Sequence, residues 1–281
     1  MNRLPHRLAL AIVLAAGGMP RAQEPPLPDP RRFLAETMKH LRSNDLVRSD
    51  YTYRERETRY SYGTDGGVAR RRVRIYEVVP SPEPELTYRR LVSEDGVQPG
   101  DLAKRDAEQA RKEREWLARR ELEGLDERQA RQRKREIEEL KERAVVDELP
   151  SVFDIRMTGR DTIDGRSAIV FTFDPRPGYS PRTPEGRIIS HFRGQAWIDE
   201  VDHELVRLRM ECLDSVSVKF GFIFRLLKGS RGVVERRKID GEAWLPTYSR
   251  FTGSGRVFFV ARVDLDQESE YSSYRRKDPG H

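Results

Sequence analysis

The sequence predicts an α+β fold: a strongly curved antiparallel sheet of about ten strands forming an open half-barrel, with an N-terminal helix and an inserted, charged helical hairpin. Apolar and polar residues alternate over many short segments, as they do along half-buried strands. Asp-Gly pairs at 65–66, 95–96, 164–165 and 240–241 favour the tight turns of an antiparallel meander. Residues 101–143 break this alternation and are typical of helices.

The first 22 residues have the layout of a secretory signal peptide. A basic start precedes an apolar run from Leu8 to Ala16, which is too short to span a bilayer as a helix. Ala22 suits the last removed position, and Gly18 lies near an earlier alternative. No later segment is long and apolar enough to cross a membrane. The sequence therefore predicts export to the bacterial periplasm, with residues 1–22 removed.

Composition limits the class of partner. Without residues 1–22 the chain has 50 basic and 47 acidic side chains, since three of the 53 basic residues lie in the predicted signal peptide. A net charge of +3 in so highly charged a chain does not predict nucleic-acid binding. The single cysteine, Cys212, forms no internal disulfide and lies on the apolar side of its segment, so it is expected in the core.

The first ordered element after the signal peptide is predicted to be a helix over 29–45. A proline-rich, extended leader over 23–30 comes before it. Asp29 is placed to cap the helix, Pro30 suits the first helical position, and apolar residues follow at helical spacing. A single domain is expected over 31–275, which includes this helix.

Alternation with a period of two then predicts the strands. The pattern is clearest in YTYRERETRYSY, at 51–62, and in VSVKFGFIFRLL, at 216–227. In addition to the alternating run at 216–227, strands are predicted at 51–62, 73–79, 86–92, 152–162, 166–174, 194–199, 204–213, 233–239, 243–251 and 256–271.

The segment from Asp101 to Arg143 is the predicted helical insertion. It has 14 basic and 13 acidic side chains, almost no β-branched residue, and Gly124 in its middle. Asp126 followed by Gln129 predicts a capped start for the second helix. Three roles remain open: a solvated excursion, a cover over one opening of the sheet, or an arm that binds an envelope protein. The mixed charges argue against a nucleic-acid patch.

The densest group of candidate catalytic or metal-binding side chains is DEVDHE, at 199–204. It joins two strand-like segments, and turns favour Asp. A metal site needs three or four converging ligands, and only Asp199 and His203 are suitably placed. No nucleophile elbow or phosphate loop is present. A hairpin turn is therefore favoured over a metal or acid–base site, and the protein is predicted to be non-enzymatic, without metal or cofactor.

The candidate binding residues are apolar. A curved sheet with few helices has a large concave face, and such a face, if only partly covered, can hold an acyl chain or an apolar peptide. The alternative is an ordinary core. The candidate lining residues are Trp197, Val206, Leu208, Met210, Phe220, Phe222, Phe224 and Trp244.

The segment GQAWIDEVDHELVRLRM, at 194–210, together with the leading helix and the meander, resembles the LolA-like superfamily of periplasmic proteins. A Trp-Ile-Asp or Trp-Leu-Asp strand end, a short turn and a second strand recur in that group. Here they correspond to Trp197–Asp199 and Leu205–Leu208, and DGEAWLPTYSRF, at 240–251, is similar to a second hairpin of this type. The resemblance covers about 30–275, without the insertion.

The resemblance implies a periplasmic carrier for a lipid, an acyl chain or a lipoprotein. It equally allows an envelope sensor or adaptor of the RseB kind, which binds a protein partner, here through 101–143. The long insertion departs from the carrier pattern, and no residue here corresponds to the carrier's lid-closing arginine. The resemblance therefore supports the fold more strongly than it supports the identity of the bound cargo.

Overall fold

The computed structural model describes residues 25–41, 49–63, 65, 67–81, 83, 86–219, 223–257 and 261–277 of the 281-residue chain. The predicted signal peptide lies outside these residues, as do Phe220 and Phe222. Among the helices that the structure describes, none is both long and apolar enough to cross a membrane.

Within the described residues there are four helices: α1 (Pro30–Leu41), α2 (Leu102–Leu122), α3 (Leu125–Val152) and α4 (Pro184–Ile189). The strands are β1 (Tyr51–Tyr62), β2 (Val68–Val79), β3 (Tyr88–Glu94), β4 (Phe153–Ile163), β5 (Arg166–Pro175), β6 (Phe192–Asp199), β7 (Leu205–Cys212), β8 (Val216–Lys219), β9 (Ile223–Leu226), β10 (Arg231–Ile239), β11 (Ala243–Val257) and β12 (Ala261–Arg276).

All of these strands belong to one antiparallel sheet. Ten of them follow the order β3-β2-β1-β12-β11-β10-β7-β6-β5-β4, and β9 joins the sheet through β11 while β8 pairs with β9. The path is open, because β3 and β4 lie at its two ends. The predicted fold class, an open antiparallel sheet with an N-terminal helix and a helical hairpin inserted between strands, is confirmed.

Three of the four Asp-Gly pairs have positive φ angles at both residues, and Gly66 of the pair at 65–66 lies outside the described residues. Asp164 and Gly165, at 51° and 77°, connect β4 to β5, and Asp240 and Gly241, at 50° and 74°, connect β10 to β11. Both residues of such a turn need positive φ, which explains the sequence preference. The pair at 95–96 follows β3 and closes a single bridge between Glu94 and Val97.

The first helix begins where it is predicted and is described to Leu41, while residues 42–45 of the prediction lie outside the described residues; its cap is the predicted one. The backbone N–H of Arg32 donates to Oδ1 of Asp29 at 2.8 Å. The ring of Phe33 is 4% exposed and packs on β5 and β6, against Ile169, Phe171 and Ile198.

The insertion forms two helices divided at Gly124, but two details differ from the prediction. Gly124, not Asp126, is the N-cap of α3, and its backbone N–H donates to Oε2 of Glu127 at 3.2 Å. Furthermore, α3 continues past 143 to Val152, with Pro150 in its last turn. Helix ends depend strongly on tertiary packing, and here the buried side chains of Glu148 and Val152 hold the extra turns against the body.

Two strand predictions are corrected. The alternating run at 216–227 is a β8–β9 hairpin in which Lys219 pairs with Ile223, not one continuous strand. Residue 256 belongs to β11, which extends to Val257, and β12 begins at Ala261.

Side chains of the sheet divide between two faces, because successive residues of a strand point to opposite sides. We call the side on which Phe33 of α1 packs the helix face; it includes Phe171 and Ala196. We call the opposite side the outer face; it includes Ala168 and Trp197, which form a separate buried cluster.

Candidate functional site

The acidic segment at 199–204 is the turn between β6 and β7. Asp199 is 1% exposed, and its carboxylate accepts from Nε of Arg166 at 2.6 Å and from Nη2 at 2.9 Å. It also accepts from the backbone N–H groups of Val201 and Asp202 at 3.0 and 2.8 Å. Burial alone would raise the pKa of Asp199, but these hydrogen bonds hold it below its usual range. The carboxylate therefore fixes the turn.

The carboxylate of Asp202, in the same turn, connects the β6–β7 hairpin to the β10–β11 hairpin. Oδ2 of Asp202 accepts from Nζ of Lys238 at 2.9 Å and from Nε1 of Trp244 at 3.1 Å. Nη2 of Arg166 donates to the same oxygen at 2.9 Å. These ion pairs and hydrogen bonds occupy the carboxylate oxygens that a metal or acid–base site would need. Within the described part of the chain, no group of three or more His, Cys, Asp or Glu could hold a metal ion.

The imidazole of His203 packs α1 onto this turn. Its ring lies 4.5 Å from that of Phe33, centroid to centroid, and its φ is 55°. Its Nδ1 is buried and has no hydrogen-bond partner among the described residues. Nδ1 of His40, on α1, lies 3.5 Å from Oε1 of Glu204. The turn is thus a docking point for α1.

The predicted lining residues that the structure describes do not all lie together. Trp197, Val206 and Trp244 are 5–6% exposed and form one closed cluster with Ala168, on the outer face. Leu208 and Met210 belong to the helix face by register with β6 and are partly exposed.

Of the three predicted phenylalanines, the structure describes only the backbone of Phe224. The backbone of Phe224 lies in β9, opposite Val218 of β8 and Val257 of β11. Phe220 and Phe222 lie outside the described residues. Phe224 therefore belongs to a strand attached to the sheet through β11.

Residues that sequence reasoning missed form, together with the predicted Met210, a continuous line across the helix face, perpendicular to the strands. We call this line the long row. Its members are direct register partners on nine successive strands: Ile155, Phe173, Gly194, Met210, Gly232, Phe251, Gln267, Arg59 and Arg72. The row is apolar from Ile155 to Phe251 and polar from Gln267 onwards.

Two glycines make the apolar part of the long row unusually flat. A Cβ on Gly194 would lie 2.6 Å from the ring of Phe173, and one on Gly232 would lie 3.1 Å from Cγ of Met210. The side chains of Phe173 and Met210 therefore lie over the backbone of the glycine on the neighbouring strand. Glycine inside a strand signals close approach of another group, and this was the available sequence signal.

A parallel row lies beside the long row and has the same polarity. It runs through Met157, Phe171, Ala196, Leu208, Val234, Ser249, Ser269, Glu57 and Arg74. In the central strands Leu208, Val234, Met210 and Phe251 are partly exposed. We call the strip formed by these four side chains the central groove.

The central groove has a cover on each side. Phe33 of α1 packs on one side of it, over Phe171 and Ile198. On the other side, Ile188 of α4 and Leu226 of β9 pack around the buried Cys212, in the same cluster as Phe251. The groove is the part of the helix face between these two covers.

The polar end of the groove is a charged network on β1 and β3. Nε and Nη2 of Arg89 donate to Glu55 and Glu57 at 2.8 and 3.0 Å. The guanidinium lies 3.5 Å above the ring of Tyr76. Both glutamates are buried, at 7% and 3% exposure, and Ser269 donates to Glu55 at 3.1 Å. Paired in this way, Glu55 and Glu57 shape this end of the groove, and neither carboxylate is left without a partner.

Comparisons with known proteins give structural matches only. No protein-family profile matches the chain, and no curated protein matches it. A LolA superfamily protein from Nitrosomonas europaea aligns over 88% of this chain and 93% of its own, with 8% identity and a TM-score of 0.29. A DUF1329 family protein from Desulfovibrio piger aligns over 90% and 95%, with 14% identity and a TM-score of 0.30.

The structure of the MucA/MucB complex from Pseudomonas aeruginosa is also matched, over 88% of this chain and 98% of that chain, with 10% identity and a TM-score of 0.26. With TM-scores this low, the matches add nothing about ligand or partner.

Proposed function

We propose that this protein is an exported, non-enzymatic binding protein that holds the acyl chain of a lipid or lipoprotein in the central groove. The observation that carries the proposal is the continuous apolar stretch of the long row, partly exposed between two covers. From Phe173 to Phe251 it crosses five strands, or about 19 Å at about 4.8 Å per strand.

The chemistry suits an apolar chain. Burying apolar surface yields about 25 cal/mol per Å², and a chain lying across the groove would cover both its own surface and that of Leu208 and Met210. No hydrogen bond is needed along the apolar stretch. Asp199 and Asp202 are held in ion pairs of the β6–β7 turn, so we assign them a structural role and not a catalytic one.

The eight residues predicted from the sequence take different parts in this proposal. Leu208 and Met210 line the groove. Phe224 belongs to β9, the strand that borders it, and Phe220 and Phe222 lie outside the described residues. The closed cluster of Trp197, Val206 and Trp244 supports the sheet from the outer face.

Uptake of a fluorescent fatty acid, measured together with the melting temperature, tests the groove. Leu208→Asp should abolish uptake at limited cost in stability, because water already reaches the partly exposed side chain. If Leu208 were closed core, the same change would bury an unpaired carboxylate and collapse the fold. Met210→Gln, which keeps the side-chain length, separates these outcomes should Leu208→Asp fail to fold.

The control is Val201→Asp, because Val201 is 77% exposed in the β6–β7 turn, away from the groove. It should bind and melt like the wild type. Normal uptake by Leu208→Asp and Met210→Gln would refute the groove as the binding site. The same paired measurements on Phe220→Asp, Phe222→Asp and Phe224→Asp test the neighbouring hairpin.

A second candidate function, an adaptor that binds a protein partner, is favoured by the helical hairpin. Leu122 and Leu125, next to its turn, are 86% and 76% exposed, and Leu117 is 51% exposed. Such exposed leucines suit a protein contact. Affinity capture from the host envelope, with and without residues 110–140, separates the two functions. Loss of a specific partner together with intact fatty-acid uptake would assign the hairpin, not the groove, to protein binding.

Periplasmic location is part of the proposal, and the layout of residues 1–22 supports it. Fractionation of the native host should place the mature chain in the periplasm. Recovery of an uncleaved chain from the cytoplasm would refute export.

A further inference from the structure

The apolar part of the long row leads directly to a group of arginines. Arg70, Arg72 and Arg74 alternate along β2, so all three point to the helix face. Arg59 of β1 is the register partner of Arg72. Two inter-strand spacings, or about 10 Å, separate Phe251 of β11 from Arg59 of β1 along the row, with Gln267 of β12 between them. We call these four arginines the basic strip.

The acids near the basic strip are already engaged. Glu57 accepts from Arg89 and Gln267 and lies 3.2 Å from Nε of Arg59. Glu94 lies within 3.3 Å of Nε of both Arg72 and Arg74. On the helix face of β1–β3, five arginines face three glutamates, which leaves an excess of two positive charges.

Part of this positive charge has no internal partner. Arg70 is exposed opposite Ser61 and has no acidic partner among the described residues. Nε of Arg72 is buried. Although it lies 3.3 Å from Oε1 of Glu94, it forms no hydrogen bond in the described part of the chain. Guanidinium groups bind phosphate and carboxylate groups through paired N–H donors.

We infer that the ligand is an amphiphile with an anionic head, a phosphate or a carboxylate, whose tail lies in the central groove while its head meets Arg59, Arg70 and Arg72. This rests on the proposed function and adds to it the charge of the ligand and its orientation. A cationic head at this end would be repelled, and a neutral sugar head would lack charge-assisted hydrogen bonds.

Four amphiphiles with the same dodecyl tail test the inference: dodecyl phosphate, dodecanoate, dodecyl maltoside and dodecyltrimethylammonium. Affinities are measured by calorimetric titration below each critical micelle concentration. The wild type should bind the phosphate at least about tenfold more tightly than the maltoside, since charge-assisted hydrogen bonds are strong. The dodecanoate arm shows whether carboxylate shares that preference.

The test variant is Arg59→Gln with Arg72→Gln, and the control is Arg56→Gln with Arg71→Gln. The control pair removes the same charge from the outer face of the same two strands. The test variant should lose most of the preference for phosphate and keep the wild-type affinity for maltoside. The control should keep both affinities.

Each other outcome is decisive. Equal affinity of the wild type for phosphate and maltoside, or tightest binding of the ammonium compound, overturns the inference while the proposed function stands. Equal loss in test and control variants also overturns it, because general charge would then explain the preference. If none of the four amphiphiles binds, the proposed function fails as well.

Discussion

Oε2 of Glu148, near the end of α3, accepts a hydrogen bond from the hydroxyl of Thr183 at 2.6 Å, and Thr183 is the N-cap of α4. The same carboxylate accepts from the backbone N–H of Thr183 and from the hydroxyl of Tyr179, both at 3.1 Å. With 3% exposure, it is one of the few buried acids among the residues that the structure describes. This contact ties the inserted hairpin to the cover of the groove.

Glu148→Ala should destabilise the fold by about 2–4 kcal/mol, because several buried donors would lose their acceptor. Chemical denaturation at neutral pH measures the change in the free energy of unfolding. Glu142→Ala is the control on the same helix, since Glu142 is exposed, and should change stability by less than about 0.5 kcal/mol. Similar values for the two variants would contradict the anchoring role of Glu148.

The same residue predicts a pH dependence. Burial would raise the pKa of Glu148, but hydrogen bonds from Thr183 and from backbone N–H groups lower it from 4.5 to about 2. A lowered pKa in the folded state adds stability that is present above 4.5 and is lost as the pH falls toward 2. Between pH 7 and pH 3, wild type should therefore lose more stability than Glu148→Ala. Parallel curves would contradict this assignment.

A graded series of glycine substitutions tests the flat part of the long row. A Cβ on Gly194 would lie 2.0 Å from the backbone oxygen of Arg209, so Gly194→Ala should cost at least about 2 kcal/mol. Gly232→Ala should cost less, because the side chain of Met210 can move. Gly159, also in a strand, has open space around its Cβ position, and Gly159→Ala should be neutral or slightly stabilising. Denaturation midpoints rank the three, and a different order would contradict the packing described.

Asp199→Ala tests whether the acidic turn is structural. It removes the acceptor for Arg166 and for two backbone N–H groups, so we expect a loss of about 2–3 kcal/mol. Fatty-acid uptake by the remaining folded protein should be unchanged. Glu242→Ala, which removes an exposed ion pair with Arg276, should cost no more than about 1 kcal/mol. Wild-type stability of Asp199→Ala would reopen a chemical role for the turn.

Asp106 connects the inserted hairpin to the edge strand β3. Its carboxylate accepts from the hydroxyl of Tyr88 at 2.7 Å and from Nε and Nη2 of Arg90 at 2.8 and 2.7 Å. Asp106→Asn should therefore speed amide hydrogen exchange in the first half of α2 while the sheet stays protected. Glu113→Gln, an exposed change on the same helix, should leave exchange as in the wild type. Unchanged exchange in Asp106→Asn would mean that another contact holds α2 to β3.

The sequence by itself determined the elements whose signals are local. The alternation of YTYRERETRYSY matches β1 residue for residue, and Asp164-Gly165 and Asp240-Gly241 form the predicted turns. Asp29 and Pro30 mark the start of α1, and Gly124 divides the insertion. In each case a few neighbouring residues set the backbone conformation, so the pattern can be read without knowing what packs against it.

Only the tertiary structure decided which side chains share a face. Val206 and Leu208 alternate in sequence as one face of a strand, but the β6–β7 register shifts between Trp197 and Ile198. Because a shift of one residue exchanges the two faces, Val206 joins the outer cluster while Leu208 lines the groove. The long row depends likewise on eight successive strand pairings, which include contacts between residues more than 200 positions apart in the chain. No local pattern encodes such a line, because each pairing is fixed by the packing of the whole sheet.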